Sequence, residues 1–490
     1  LDLSRNRLLK IAQYFLLTLC IIRLWIVPLP SSFWVDETGT EFVVRQGANH
    51  PSLAVAPQVP ASIYFWLPRI ADKFLALLPA KSGVLESLYR LPSIVAAALA
   101  LFFIARIAAR LIDPQAARFA AFACLALSGF NYEAANARPY ALGILVVSAA
   151  TLFLIRWLDR GHLTDAALFV VFAALILRVH LLFWPAYLVL LLYALARQTN
   201  WKTCLVFALV AVSVIPLAPL ALTLSKQAGE HVISPVPPIK ELVRELKFGL
   251  IILAATLGFA LSRIPTHVTE PRPQRSDLPS SRLLIAAWWL LPPVALYAFS
   301  FATGNSVFVH RYLSFALPGV ALAATAAASF FVPKHRWDWA TVILGTGVLI
   351  FLGNWSQKWP PHHNSDWRAA AASINALPNP TVLCPSPFIE ARTPAWTPAY
   401  PLPGFLYAHL ATYPIHGHLI LFPYQASPLA EQWAGNLKLG SRFFIYGQAP
   451  AVEFWRTWFL SLPQYQRWTS QPLGSFGDVS AVAVSSPSSH

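Results

Sequence analysis

Apolar blocks of about 20 residues recur along this chain, and that is the length a helix needs to cross a bilayer core. A segment in hydrocarbon must satisfy every backbone N–H and C=O internally, so each block is committed to helix. A single water-soluble domain is excluded. Composition agrees: 57% of the residues are hydrophobic and only 12% charged, against about 25% charged in soluble chains. The 36 Lys+Arg outnumber the 21 Asp+Glu, for a formal charge of +15. In a soluble protein such an excess points to nucleic acid. Here it sits mostly in short loops between apolar blocks, where it orients a chain in the membrane. No zinc-finger, Walker A or dinucleotide-binding spacing occurs. Of four cysteines, Cys20, Cys124 and Cys204 lie in apolar segments and only Cys384 in a polar tail. That tail cannot close a disulfide within itself, and the compartment stays open.

The first span covers about 11–27, behind Arg5, Arg7 and Lys10 and ahead of Pro28 and Pro30. A removable signal peptide is disfavoured, since no small-residue cleavage site follows. Further spans are expected near 88–105, 116–132, 139–155, 164–179, 181–196, 203–221, 247–262, 283–301, 308–330 and 338–353, giving about eleven. Arg106, Arg110, Arg118, Arg156, Arg160, Arg197, Lys202, the run Arg263–Arg282, Lys334 and Arg336 then share the side of the N-terminus, as the positive-inside rule requires of a cytoplasmic face. Residues 31–87, the loop 222–246 and everything after 353 fall on the other side. The first of these holds one helix from Asp36 to Gly47 and another over 61–78, whose mixture of Trp66 and Phe74 with Arg69 and Lys73 suits a helix lying in the interface. After 353 no apolar run is long enough to cross. A helix over 367–377 and strands at 381–384, 418–422, 442–446 and 479–484 describe a small external α/β domain. The division expected is thus 1–353, a transmembrane module that includes the 31–87 loop, and 354–490, an external or periplasmic domain. No internal repeat is evident, which argues against an inverted-repeat transporter.

Four polar constellations fall on the external side. In Trp34-Val35-Asp36-Glu37-Thr38-Gly39-Thr40-Glu41 two adjacent carboxylates follow the first span. Such a pair can take a proton from a hydroxyl or hold a divalent ion; a capping Asp36 and a solvated Glu37 explain it equally well. Asn131 to Tyr140 is a dense polar turn in which Arg138 stands at the lip of a span, able to make paired bonds to a phosphate or an ion pair with Glu133. His310-Arg311-Tyr312 brings a cation into an apolar run, which calls for an anionic partner or for snorkelling; His180 and Arg178 lie at the same level. His362-His363-Asn364-Ser365-Asp366 has ligand-type side chains, although Asp366 also reads as a helix cap. Several basic groups around one acidic pair suit a substrate with an anionic head and a lipid tail.

Taken in order, Trp34-Val35-Asp36-Glu37, Tyr89-Arg90-Leu91-Pro92-Ser93, Ala137-Arg138-Pro139-Tyr140-Ala141-Leu142, His310-Arg311-Tyr312-Leu313 and Asp366-Trp367-Arg368-Ala369-Ala370 resemble the polyprenyl-phosphate-dependent GT-C glycosyltransferases, a superfamily that includes protein O-mannosyltransferases and the lipid A aminoarabinose transferase. The resemblance spans residues 34–370. It implies a polytopic α-helical GT-C fold in a bacterial inner membrane, and inverting transfer of a sugar from a polyprenyl-phosphate donor at the external face. It implies Asp36 as general base, with Glu37 orienting the acceptor or a divalent metal (Mg²⁺ or Mn²⁺), while Arg138 and Arg311 hold the donor phosphate. Tyr140, His180, His310 and Tyr312 would line the pocket. The short α/β tail differs from the β-trefoil common in protein-modifying members, so a lipid or glycan acceptor is favoured over a protein. The alternative is a transporter or flippase of a lipid-linked sugar, which would reuse the basic pocket without chemistry.

Overall fold

A computed structural model describes residues 2–75, 82–197, 200–231, 235–264, 279–388 and 395–487. It forms two compact units. One comprises 1–29, 62–64 and 90–360; the other comprises 30–61, 65–89 and 361–490. Most of the segment 31–87 therefore belongs to the same unit as the C-terminal residues.

In the first unit, every expected span is helical. Among the described residues seven helices are long and apolar enough to cross a membrane: Arg7–Ile26, Val84–Leu111, Tyr140–Arg160, Trp201–Leu224, Ile239–Arg263, Pro279–Thr303 and His310–Ser329. The other four expected spans are shorter pieces, so helix length supports seven crossings rather than the expected eleven. These pieces are Ala117–Leu125 followed by Ser128–Ala134, then Leu163–Val179, Pro185–Arg197 and Trp337–Leu352. The break in the first has a visible cause. Asn131 turns its amide inward and donates to the Leu125 carbonyl at 2.7 Å, while its oxygen accepts from the Trp25 indole at 3.0 Å. A side chain that competes for backbone carbonyls ends a helix.

Two further details depart from expectation. The loop 222–246 is largely helical among its described residues: Ala218–His231 runs into it and Ile239–Glu245 lies inside it; residues 239–245 are mostly good helix formers, and Arg244 pairs with Glu241 one turn away. The span at 308–330 opens with a 3₁₀ segment, His310–Ala316, before the α-helix Leu317–Ser329. Most of the basic run 263–282 lies outside the described residues.

Small residues let the helices approach closely. A Cβ on Gly319 would stand 2.5 Å from the Trp288 backbone, so only glycine permits that crossing. Charges at the helix ends are paired: Asp338 accepts from Gln13 and Arg118, and Asp159 from Arg110 and Arg197. The Arg23 guanidinium donates to the carbonyls of Gly353, Asn354, Gln357 and Lys358 in the non-helical stretch that follows Trp337–Leu352.

The second unit is built on a five-stranded sheet. β1 (Thr381–Pro385), β2 (His418–Phe422), β3 (Arg442–Gln448), β4 (Thr469–Pro472) and β5 (Val479–Ser485) lie in the order β2-β1-β3-β5-β4. The first three are mutually parallel; β5 runs antiparallel to β3, and β4 to β5. All four expected strands are present. β4 escapes a pattern search because Thr-Ser-Gln-Pro is mostly exposed and ends in proline, which a sheet edge tolerates. The helices Trp367–Asn375, Pro428–Gly435 and Ala449–Ser461 complete the α/β arrangement. Two helices from the early loop belong to this unit. Val35–Gln46 matches the expected helix within a residue. Trp66–Leu75 covers part of the expected 61–78, whose remainder falls partly outside the described residues. It leaves Trp66, Ile70 and Phe74 exposed at four-residue spacing, the single apolar stripe of an interfacial helix.

Candidate functional site

Within the first unit the structure brings five of the proposed side chains together. Arg138 follows the short helix Ser128–Ala134, in a turn where Asn136 donates to Glu133 at 2.9 Å and the Asn136 carbonyl accepts the Arg138 N–H at 2.8 Å. Ser93, from the helix Val84–Leu111, donates to the Arg138 carbonyl at 3.5 Å. Tyr140 begins the next helix and is buried. Its ring centroid lies 5.7 Å from that of His180 and 6.3 Å from that of Tyr312, and the His180 and Tyr312 rings are 5.1 Å apart. Arg311 lies over the Tyr312 ring at 5.4 Å.

His180 occupies the turn between the helices Leu163–Val179 and Pro185–Arg197 and accepts the Leu182 N–H at 3.3 Å. Burial first, then the guanidinium charges of Arg138 and Arg311, push its pKa below the usual range. Two cations from distant parts of the sequence thus lie near this one imidazole. Gly143 holds this cluster close: a Cβ there would meet the Phe183 ring at 2.0 Å, and Phe183 stacks on His180 at 5.1 Å.

His310 faces elsewhere. Its Nδ1 lies 2.8 Å from Glu245, whose carboxylate also pairs with Lys247 at 3.2 Å. Glu245 was not singled out in the sequence, where it looks like one charge of an ordinary amphipathic turn. Arg178 is occupied locally, donating to the carbonyls of Ala174 and Ser213.

Asp36 and Glu37 belong to the second unit, in the first turn of Val35–Gln46, where a helix N-terminus favours negative charge. The cap is not the one expected. Trp34 is the N-cap, and Glu37, fully buried, accepts the Trp34 N–H at 3.3 Å. That bond requires a carboxylate at the third helical position, so Glu37 does the capping and Asp36 is left partly accessible. Glu41 is held by Arg45 at 3.0 Å and Thr412 at 3.0 Å. Asp366 caps the helix Trp367–Asn375 through the Ala369 N–H at 3.0 Å. His363 stacks on Trp34 with ring centroids 5.1 Å apart. Neither His363 nor Asp366 is arranged with His362 as a ligand set; among the described residues no cluster of three or more His, Cys, Asp or Glu could hold a metal ion.

Residues 68–222 match the family described as dolichyl-phosphate-mannose-protein mannosyltransferase, a stretch that includes Arg138, Tyr140 and His180. No curated protein sequence matches. Among solved structures the chain is similar to ArnT from Cupriavidus metallidurans in the apo state, with a TM-score of 0.57 at 11% identity over 96% of this chain and 97% of that one. The same protein bound to undecaprenyl phosphate gives a TM-score of 0.52 at 12% identity over the same shares. The chain thus shares the fold of these ArnT structures, and about a third of its length matches the mannosyltransferase family.

Proposed function

We propose that the protein transfers a sugar from a polyprenyl-phosphate donor to a lipid or glycan acceptor at the external face of the membrane, with inversion at the anomeric carbon. The observation that carries this reading is the gathering of Arg138 and Arg311 around the packed rings of Tyr140, His180 and Tyr312. Two guanidiniums gathered at one place can make paired, charge-assisted bonds to a lipid-linked phosphate. The ArnT structure that contains undecaprenyl phosphate supports the same class of ligand.

In this reading the acceptor hydroxyl gives its proton to Asp36 as its oxygen attacks the anomeric carbon. The bond from that carbon to the phosphate oxygen breaks on the opposite face. The departing polyprenyl phosphate takes the electron pair, and Arg138 and Arg311 stabilise its charge. Phosphate is a good leaving group, so positioning, one base and charge stabilisation suffice. Tyr140 and Tyr312 offer ring faces to the sugar. Glu37 holds the helix start that presents Asp36. A divalent Mg²⁺ or Mn²⁺ would be held through Asp36, since Glu37 already commits an oxygen to backbone; no step above depends on it.

The test is sugar transfer by the purified full-length protein in membrane lipid, from a panel of polyprenyl-phosphate sugars. Asp36→Asn is expected to abolish turnover and leave donor binding intact. Arg138→Lys and Arg311→Lys keep the charge but lose the paired geometry, and should each weaken binding of the polyprenyl phosphate by about tenfold. Binding and lipid translocation without release of polyprenyl phosphate, in the presence of suitable acceptors, would refute the transferase and favour a flippase.

A further inference from the structure

Asp36 is preceded by a non-helical stretch, Pro30–Phe33, whose polar groups are taken up by residues from the far end of the chain within the same unit. The Phe33 N–H donates to the Tyr413 hydroxyl at 2.8 Å. That hydroxyl donates to Glu86 at 2.7 Å. Arg368 reaches Glu86 at 3.2 Å and donates to the Pro30 carbonyl at 2.7 Å and to Ser82. The Arg368 backbone N–H donates to Ser32 Oγ at 3.3 Å, and the His362 N–H to Ser31 Oγ at 3.0 Å. Glu86, Phe33 and Ser32 are all at most 4% exposed, and Tyr413 is buried.

We infer that Glu86, Tyr413 and Arg368 are positioning residues that set the height and direction of Asp36. A carboxylate as buried as Glu86 is costly unless charge-assisted bonds compensate it. Here those bonds come from the two groups that also grip the Pro30–Phe33 backbone. Glu86 thus anchors both, and with Trp34 as N-cap the held backbone runs directly into the turn bearing Asp36. The C-terminal residues contribute to the reaction through this contact without touching the substrate. Near an attacking hydroxyl a displacement of about 1 Å costs up to ~100-fold in rate, so such a brace has a kinetic consequence out of proportion to its bonds.

This inference rests on the reading of Asp36 as base, and the experiment separates the two. Tyr413→Phe removes only the hydroxyl; Glu86→Gln keeps the shape and the acceptor but loses the charge; Asp36→Asn is the comparator, and Tyr413→Phe/Asp36→Asn completes a cycle. All are measured in full-length protein in lipid, with single-turnover kinetics where turnover is slow. Tyr413→Phe is expected to lower kcat about 10- to 100-fold with the donor KM nearly unchanged, and Glu86→Gln by a smaller factor in the same pattern. Hydrogen exchange of the peptide 30–37 should rise in Tyr413→Phe. Acting through Asp36, the change should add no further loss to Asp36→Asn. Full turnover in Tyr413→Phe beside an inactive Asp36→Asn overturns the brace alone. An equal loss in both backgrounds, a raised KM at unchanged kcat, or unaltered exchange at 30–37 overturns it as well. Full turnover in Asp36→Asn overturns both readings.

Discussion

His409 makes the second unit sensitive to acid. It lies fully buried in the short helix Ala408–Thr412, its ring 4.5 Å from that of Trp367 and 5.8 Å from that of Tyr446. Neither of its ring nitrogens has a hydrogen-bond partner among the described residues. Burial pushes its pKa from 6.5 down to about 3. The unfolded chain therefore takes up a proton as pH falls through the ordinary value, while the folded unit refuses it until much lower pH. Stability rises with pH wherever the unfolded state binds more protons. The contribution is complete above the unfolded pKa, falls as pH drops between the two values, and is gone below the folded one. At about pH 5 the loss is about 1.5 pH units' worth, or ~2 kcal/mol. That corresponds to roughly 30-fold more open molecules. The perturbation is His409→Phe, which keeps an aromatic ring among its neighbours and removes the titration. The assay is hydrogen exchange of the full-length protein in lipid, followed on peptides covering 367–375, 405–413 and 442–448, with opening free energies compared between neutral and acidic pH. The wild type should lose the stated stability on acidification and the variant should lose none by this route. An equal loss in both proteins would refute the argument, because every other titrating group is common to the two.

Two further outcomes follow from packing. Gly143→Ala would drive a methyl into the Phe183 ring and through it displace His180; a melting shift equivalent to about 1–3 kcal/mol and weaker polyprenyl-phosphate binding are expected, with Phe183→Leu restoring part of both. Arg23→Met would strip the carbonyls of residues 353–358 of a shared donor, at a cost of about 2 kcal/mol; limited proteolysis should find this segment more readily cut, and less so in Arg23→Lys.

The apolar blocks and the basic loops were legible because bilayer thickness and positive-inside bias act on composition within a short window. The strands β1, β2, β3 and β5 were legible for a similar reason, being short apolar runs bounded by turn residues. Among functional candidates, Arg138 and Arg311 stood out because a cation in apolar surroundings is conspicuous in one dimension. Glu86, Tyr413 and Glu245 did not. Each is unremarkable beside its sequence neighbours, and its partners lie scores to hundreds of residues away. Of the two readings open for Asp36 and Glu37, a capping Asp36 with a solvated Glu37 does not hold, because a carboxylate three residues after the cap closes the turn from inside.

The sequence by itself determined that this chain crosses a membrane repeatedly and that a polar α/β segment follows. Hydrophobic length and local propensity are additive along a chain, and a reader of one dimension can sum them. Tertiary structure alone decided that residues 30–61 and 65–89 pack with 361–490, that Arg138 and Arg311 gather with Tyr140, His180 and Tyr312, and that Glu37 turns inward while Asp36 does not. Those outcomes depend on which distant groups compensate a buried charge, and a pairing energy exists only once folding has brought both partners to the same place.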